Sequence, residues 1–468
     1  MPSWKTLIFL LGPITAALAA PVNKQSFPTG NPDISSWVSK QEGISFSEML
    51  RNVNPPGTAK GFVAASLSTA GPDYFYTWTR DAALVSRVIA YKYNTTNAGD
   101  NNIHGALQDY VTFQINTQTE STPCNCLGEP KFNPDGSSFT GPWGRPQNDG
   151  PAERASSMIL IADSFLAQTK DTAYVTNTLK PAIYKDLDYV VNTWSNPCFD
   201  LWEEVNGVHF YTLMVMRRGL LDGADFATRN GDASKASSYS DAASKIKTRL
   251  DSFWVSDKNY ITVTQDYKEG VKKDTGLDVS TLIAANVAGK DDGFYTPGSD
   301  KILATAVAFE NAMAKLYPLN QNLDSHLGNS IGRYPEDTYN GNGNSQGNPW
   351  FLATTAFTEL YYRAILEWKD SGVTVTPVSK DFFAKFDSNA VAGKKYSPNS
   401  EEFATLTANI AAAADRFMST VKYHQNPNGS LSEQFDRHSG YMTGARDLTW
   451  SHAAFITAAQ ARAGTPSF

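Results

Sequence analysis

Four stretches of this sequence combine acidic, basic and aromatic side chains in a way that a plain helical scaffold does not require. The most acidic stretch contains Asp200, Trp202, Glu203 and Glu204, so three carboxylates lie within five residues beside a tryptophan. Burial and like-charge repulsion should raise the pKa of at least one of these carboxyls, which would prepare a proton donor near neutral pH. A solvated acidic turn at the end of a helix is the alternative interpretation of these residues.

A second stretch, residues 72–81, carries aromatic side chains, including Tyr74 and Trp78, ahead of the adjacent pair Arg80 and Asp81. An arginine and a carboxylate side by side can hold neighbouring hydroxyl groups with directed hydrogen bonds. This stretch is therefore a candidate for binding a polyhydroxylated ligand. A helix N-terminus with a surface ion pair is the alternative.

The other two stretches lie in glycine-rich segments. Trp143, within residues 141–147, offers a flat face to a sugar ring, and its neighbouring glycines permit close approach of the backbone. A buried loop anchor explains the same residues equally well. Residues 332–339 again combine an arginine, Arg333, with acidic residues and tyrosines, and Trp350 follows them in the sequence. Glu433 stands apart in a loop, where a lone glutamate is usually only solvated.

Composition excludes some classes of function. The 468 residues carry a formal net charge of -7, and their 40 lysines and arginines are scattered without a basic stripe. A surface that follows nucleic-acid phosphates is not expected from such a distribution. The weakly acidic balance is compatible with a neutral substrate.

The N-terminus has the features of a secretory signal peptide over residues 1–20. Lys5 supplies the positive charge, an apolar run begins at Thr6, and Ala17-Leu18-Ala19 forms a small-residue cleavage site. No later segment is apolar for long enough to span a bilayer. Together with glycosylation sequons at Asn94 and Asn428, these features predict a secreted glycoprotein with no membrane contact in its mature form.

The three cysteines are Cys124, Cys126 and Cys198. In an oxidising compartment an odd count leaves one disulfide and one free thiol, and we expect Cys198 to pair with one of the other two. Neither a metal nor a cofactor is expected, because no fourth ligand and no histidine cluster accompany these cysteines.

The elements that must position these residues are almost all helices. Apolar residues recur at helical spacing through most of the mature sequence, and they predict twelve helices within residues 32–52, 78–93, 104–118, 151–168, 171–194, 209–230, 235–253, 278–287, 299–316, 349–369, 401–424 and 449–462. Strand-like alternation is confined to short pieces such as Tyr260 to Thr264 and Val373 to Val378. The prediction is an all-α fold whose long loops, notably 122–150, 329–349 and 385–400, carry function.

Five motifs in this order resemble the fungal glucoamylase family, and the resemblance covers the chain from about residue 33 to its end. The motifs are Tyr76-Thr77-Trp78-Thr79-Arg80-Asp81, Trp143-Gly144-Arg145-Pro146-Gln147, Asp200-Leu201-Trp202-Glu203-Glu204-Val205-Asn206-Gly207, Gly332-Arg333-Tyr334-Pro335-Glu336-Asp337 and Leu431-Ser432-Glu433-Gln434-Phe435-Asp436. The resemblance implies an (α/α)6 barrel, with residues 21–468 as a single catalytic domain. Many family members carry a linker and a C-terminal starch-binding domain, whereas this sequence ends at Phe468 with neither, so granular starch is expected to be a poor substrate.

The resemblance also implies roles for individual residues. Glu203 is expected to be the general acid and Glu433 the general base, with Asp200 as a supporting carboxylate. The residues expected to bind the sugars are Tyr74, Trp78, Arg80, Asp81, Trp143, Leu201, Glu204, Arg333 and Trp450.

The expected reaction is exo-acting, inverting hydrolysis of terminal α-1,4-linked and, more slowly, α-1,6-linked glucose from starch, glycogen and malto-oligosaccharides, with release of β-D-glucose. An inverting mechanism places the two carboxyls roughly 6.5 to 9.5 Å apart, with room for a water molecule between substrate and base. Another toroidal glycosidase such as a trehalase, or a non-catalytic carbohydrate-binding protein, is the rival hypothesis. A monomer is the default expectation for the oligomeric state.

Overall fold

A computed structural model describes residues 34–466 of the chain, so the predicted signal peptide lies outside the described residues. Helices dominate this part of the chain. They are α1 (Ser35–Arg51), α2 (Thr79–Asn94), α3 (Asn101–Thr117), α4 (Asp149–Gln168), α5 (Thr172–Tyr174), α6 (Lys180–Thr193), α7 (Phe210–Arg229), α8 (Ala233–Asp251), α9 (Ser280–Ala288), α10 (Asp300–Leu316), α11 (Phe351–Trp368), α12 (Lys380–Ala384), α13 (Glu401–His424) and α14 (Thr449–Arg462). A π-helical turn, Val175–Leu179, joins α5 to α6. Each of the twelve predicted helices is therefore present, and the short helix α12 is the addition.

Six of these helices close into a ring. Going round it, α2 packs on α4, α4 on α7, α7 on α9, α9 on α11, α11 on α14, and α14 returns to α2. Six further helices lie outside the ring: α1 packs on α14, α3 on α2, α6 on α4, α8 on α7, α10 on α9 and α13 on α11. The predicted (α/α)6 barrel is confirmed.

The sequence explains which helices are inside. All nine residues of α9 are buried, so this helix has no polar face and must be surrounded by protein. The outer helix α8 buries only five of its 19 residues and turns the rest to solvent. Local signals fix where some outer helices begin, since Asp100 accepts two N–H groups of α3 and Ser400 caps α13.

The loops that lead from an outer helix to the next inner helix are long. They cover residues 52–78, 118–148, 194–209, 252–279, 317–350 and 425–448. The strands found in the described residues are short and lie mainly in these loops: β1 (Thr77–Trp78), β2 (Lys131–Phe132), β3 (Cys198–Phe199), β4 (Val205–His209), β5 (Trp254–Val255), β6 (Tyr260–Ile261), β7 (Thr264–Gly270), β8 (Val373–Thr374), β9 (Lys395–Tyr396), β10 (Gln434–Phe435) and β11 (Met442–Thr443). Strands were predicted near β6 and β8, whereas the antiparallel sheet β3-β4-β7 was not.

The predicted pairing of Cys198 is wrong. The disulfide joins Cys124 to Cys126, whose Cα atoms are 5.2 Å apart, within the range that a disulfide spans. Cys198 is a buried free thiol in β3, where its backbone pairs with Gly207 of β4. Among residues 34–466, no helix is both long enough and apolar enough to cross a membrane.

Candidate active site

A cavity of about 370 Å³ opens at the end of the barrel where the six inner helices begin. Five of the six long loops contribute to its wall, together with the first turns of α2 and α14. The lining residues are Ala65, Tyr74, Trp78, Arg80, Asp81, Trp143, Gly144, Leu201, Trp202, Glu203, Glu204, Arg333, Tyr339, Trp350, Glu433, Leu448 and Trp450. The structure thus brings together every predicted catalytic or sugar-binding residue except Asp200. The sixth loop, residues 252–279, lies behind the wall.

Glu203 sits in the turn between β3 and β4 with its φ angle at +69°, a left-handed conformation that is unfavourable for a side chain of this kind. Two donors reach the same carboxylate oxygen, because Trp78 Nε1 lies 2.6 Å and Gln147 Nε2 lies 3.0 Å from Glu203 Oε1. The guanidinium of Arg80 is 4.0 Å from that oxygen. The other oxygen, Oε2, is therefore the one on which a proton can reside without displacing these donors.

Glu433 enters the cavity wall from the loop that precedes α14 and is only 1 % exposed. Burial raises the pKa of the Glu433 carboxyl to about 8, while the neighbouring hydroxyls of Tyr74 and Tyr339 and the charge of Arg333 oppose the shift. The hydroxyls of Tyr74 and Tyr339 bond to each other at 2.8 Å, so one of them uses its proton on the other and only one proton is left for the carboxylate. Gln434 Nε2 donates to Glu433 Oε2 at 3.2 Å. Any role that requires ionised Glu433 depends on these neighbours.

The carboxylate of Glu433 also packs against backbone. Gly444 has a φ angle of +73°, and a Cβ atom at this position would lie 2.5 Å from Glu433 Oε2. The backbone conformation therefore favours glycine at position 444, and a larger residue there would displace the Glu433 carboxylate.

Arg80 and Asp81 form the floor of the cavity on the α2 side. Arg80 donates to Gln147 at 2.9 Å and to Asp149 at 3.0 Å, and its Nε lies 3.6 Å from Asp81. Burial raises the pKa of Asp81 to about 6, although the charge of Arg80 opposes the rise. The pair is fixed by the protein on one side and faces the cavity on the other.

Arg333 is the second cation of the cavity. It makes a two-pronged ion pair with Asp337, at 2.8 and 2.6 Å, and a third bond of 2.8 Å to Glu204. The hydroxyl of Tyr334 donates to the other oxygen of Glu204 at 2.5 Å. Burial nevertheless raises the pKa of Glu204 above its usual value. The expectation of a raised pKa among the three clustered carboxyls is thus met at Glu204.

Asp200 is 1 % exposed and lies behind the wall rather than in it. One of its oxygens accepts the backbone N–H groups of Glu204 and Val205, at 2.8 and 3.0 Å. Burial alone would raise its pKa, but Lys273 at 3.0 Å, together with neighbouring donors, lowers the pKa of Asp200 to about 2. This placement fits a supporting carboxylate and gives Asp200 no contact with a substrate in the cavity.

Aromatic rings make up most of the remaining wall. The ring of Trp78 is 5.6 Å from Tyr74 and 6.1 Å from Trp143, and Trp202 stacks at 6.2 Å on Trp450. The indole N–H of Trp143 is buried without a hydrogen-bond partner in the described part of the chain, so Trp143 offers the cavity its ring face.

Sequence reasoning missed several residues of this site. Trp202, Tyr339 and Trp350 were noticed in their motifs but not assigned to the cavity, and Gln147 was seen only as part of its motif. Lys131 gave no signal at all: its ammonium lies 3.7 Å from the centre of the Trp143 ring and 4.8 Å from that of Trp78. Such a cation beneath aromatic rings is recognisable only in three dimensions.

Comparisons with known proteins agree with this geometry. Residues 43–460 match the sequence profile of Glycosyl hydrolases family 15. Glucoamylase 1 of Rhizopus oryzae is 68 % identical over 443 residues, which cover 94 % of this chain and 73 % of that protein. The probable glucoamylase of Schizosaccharomyces pombe is 37 % identical over 97 % of this chain and 96 % of its own length.

Solved structures give the same result. The family 15 glucoamylase of Hypocrea jecorina has a TM-score of 0.85 at 37 % identity, over 92 % of this chain and 73 % of that one. The glucoamylase of Saccharomycopsis fibuligera also has a TM-score of 0.85, at 30 % identity, over 94 % of this chain and 98 % of that one. The matched sequence, the barrel and the acidic cavity at one end of it together establish that this chain belongs to glycosyl hydrolase family 15, as a glucan-degrading enzyme of the glucoamylase type.

Proposed function

We propose that this enzyme removes single glucose units from the non-reducing ends of α-glucans with inversion, releasing β-D-glucose, and that Glu203 is the general acid and Glu433 the general base. The observation that carries the proposal is that both carboxyls line one cavity yet are held by separate sets of neighbours. Inverting hydrolysis needs two carboxyls at one cavity, one to protonate the leaving oxygen and one to activate water. Burial raises the pKa of Glu433, so its role as base requires the hydroxyls of Tyr74 and Tyr339 and the charge of Arg333 to keep the carboxyl ionised.

The shape of the cavity supports action at chain ends. Beneath Trp450, the apolar side chains of Leu84, Val88, Ile283 and Leu352 fill the axis of the barrel and leave a space of only about 30 Å³. A glucan chain therefore enters from the loop side and cannot pass through. A blind pocket accepts one chain end, whereas a chain cleaved internally needs an open groove.

In the proposed reaction, Glu203 gives its proton to the glycosidic oxygen as the bond to the anomeric carbon breaks. Trp78 and Gln147 both donate to Oε1, so the transferable proton belongs on Oε2. The two donors hold the carboxyl in one orientation before and after the transfer.

In the same displacement, Glu433 takes a proton from a water molecule that attacks the anomeric carbon from the opposite face. This requires a separation of roughly 6.5 to 9.5 Å between the two carboxyls. Arg80, Asp81 and Arg333 are proposed to hold the hydroxyls of the terminal glucose, and Glu204 and the backbone at Leu201 the next sugar. Tyr74, Trp78, Trp143 and Trp450 supply the apolar faces on which sugar rings pack.

The proposed substrates are starch, glycogen and malto-oligosaccharides, with α-1,6 links cleaved more slowly than α-1,4 links. We further propose that residues 21–468 act as one catalytic domain and as a secreted monomeric glycoprotein. Asn94, at the end of α2, and Asn428, in the loop before α14, are both exposed, as glycan attachment requires.

The test is a comparison of initial rates of glucose release from maltotriose, soluble starch and trehalose. The proposal predicts rapid release from the first two and none from trehalose, and a loss of at least about 10²-fold in kcat for Glu203→Gln or Glu433→Gln. Glu48→Gln, which changes a glutamate paired with Arg51 outside the cavity, is the control. Efficient hydrolysis of trehalose, or an active Glu203→Gln variant, would contradict the proposal.

A further inference from the structure

Lys273 lies in the one long loop that does not reach the cavity, and its side chain is only 3 % exposed. Its ammonium bridges two buried carboxylates, lying 3.0 Å from Asp200 and 2.7 Å from Asp278. The ring of Tyr334 closes over it at 4.1 Å. A buried lysine with two carboxylate partners ties together the two chain segments to which Asp200 and Asp278 belong.

The first segment is the turn that carries Glu203. Asp200 holds this turn closed, because its backbone accepts the N–H of Glu203 at 2.8 Å and its side chain accepts those of Glu204 and Val205. The left-handed conformation of Glu203 is unfavourable for a residue with a side chain, so the turn needs such support. Asp200 therefore supports this turn with three hydrogen bonds.

The second segment is the start of the inner helix α9. Asp278 accepts the N–H of Ser280 at 2.8 Å and also receives the indole N–H of Trp202 at 3.0 Å. Trp202 stacks on Trp450 and lies next to Glu203 in sequence. Lys273 thus connects the turn of Glu203 to the barrel wall by two routes, through Asp200 and through Asp278.

We propose that Lys273 is a positioning residue for the general acid, and that the Lys273 bridge between Asp200 and Asp278 holds the Glu203 carboxyl in line with the glycosidic oxygen. Without the ammonium, two buried carboxylates face each other unpaired, and one must take up a proton or move apart from the other. Either change weakens the bonds from Asp200 to the turn. The inference rests on the proposed role of Glu203 as the acid.

The experiment compares two substrates that differ in their need for an acid. Maltotriose requires protonation of its leaving group, whereas α-D-glucosyl fluoride releases fluoride without a proton from the enzyme. Misplacement of an acid by about 1 Å costs on the order of 10²-fold in rate. Lys273→Met should therefore lose about 10²-fold in kcat on maltotriose, with a small change in KM, and at most about threefold in kcat on the fluoride.

Lys290→Met is the matched control. Lys290 also bridges two aspartates, Asp222 at 3.1 Å and Asp225 at 2.7 Å, but it follows the C-terminus of α9, away from the cavity. This variant should keep the activity of the parent on both substrates. Lys273→Arg, whose guanidinium can bond to both aspartates, should recover most of the maltotriose activity.

Equal losses on the two substrates, or an unchanged rate on maltotriose, would overturn the inference, because a merely structural lysine would lower both rates together. If Lys273→Met does not fold, Lys273→Gln, which keeps a donor for one aspartate, must show the same selective loss. Glu203→Gln is measured in parallel. If Glu203→Gln itself retains activity on maltotriose, the proposed role of Glu203 has failed, independently of the result for Lys273.

Discussion

The pH dependence of activity should respond to the hydroxyl of Tyr339. Together with the hydroxyl of Tyr74, to which it is bonded at 2.8 Å, this hydroxyl favours ionised Glu433 against the burial that raises the pKa of the carboxyl. Tyr339→Phe removes the donor and keeps the ring. A hydrogen bond to a charged group contributes about 1.5 to 3 kcal/mol, and 1.36 kcal/mol corresponds to one pKa unit, so the pKa of Glu433 should rise by between about one and two units.

The sign of the effect follows from the proposed chemistry. A general base acts only when it is deprotonated, so the rate falls as pH drops below its pKa. A higher pKa in the variant therefore moves the acidic limb of the kcat/KM profile to higher pH by the same one to two units, as estimated from the hydrogen bond. The assay is kcat/KM for maltotriose as a function of pH, measured for the parent and for Tyr339→Phe.

The control for this prediction is Tyr396→Phe. The hydroxyl of Tyr396 donates to a carboxylate, Asp387, at 2.6 Å, but both residues lie away from the cavity. Its acidic limb should coincide with that of the parent. An unmoved limb in Tyr339→Phe, or a shift to lower pH, would refute the assignment of Glu433 as an ionised base.

Three further outcomes are expected. Trp143→Phe shortens one of the aromatic faces on which a sugar ring is proposed to pack, so KM for maltotriose should rise by about threefold to tenfold in steady-state kinetics. Arg333→Met removes the ion-pair partner of the buried Asp337 carboxylate and of the partly exposed Glu204 carboxylate, so urea denaturation should show a loss of about 3 to 5 kcal/mol in unfolding free energy. The pKa of Asp200 is lowered to about 2 in the folded protein, so ionised Asp200 stabilises the fold at any pH above its unfolded-state pKa near 4. This contribution to the unfolding free energy, about 2 kcal/mol, should be lost as pH falls toward 2. Urea denaturation of Asp200→Asn should show no such contribution.

The architecture could be predicted largely from local signals. The apolar spacing of residues 151–168 recurs in most helices of the barrel, and such periodicity can be recognised within one segment of sequence. Closure of the ring could not be read from it, because the contact between α14 and α2 joins segments more than 350 residues apart. Only the resemblance of the motifs to a known family supplied that information.

The site shows the same division between local and long-range signals. Glu203 is surrounded by acids and a tryptophan in sequence, so its chemistry could be suspected from the residues themselves. Glu433 has no such neighbours in sequence and became a candidate only by resemblance, since its partners Tyr74 and Tyr339 come from distant loops. The roles of Lys131 and Lys273 could not be predicted from the sequence, because the rings around Lys131 and the carboxylates around Lys273 are brought together only by folding.

Cys198 illustrates a further limit. Counting cysteines correctly predicts one disulfide and one free thiol, but the choice of partners depends on which Cα atoms approach each other. The loop that holds Cys124 and Cys126 brings these two within range, while β3 buries Cys198 elsewhere.

The most direct test of the central claim is proton NMR of the sugar released from maltotriose in the first minutes of reaction, before the anomers equilibrate. The account predicts β-glucose from the parent enzyme and almost no sugar from Glu203→Gln. Initial release of α-glucose would contradict inversion and with it the roles of Glu203 and Glu433, and undiminished release from Glu203→Gln would contradict the assignment of the acid.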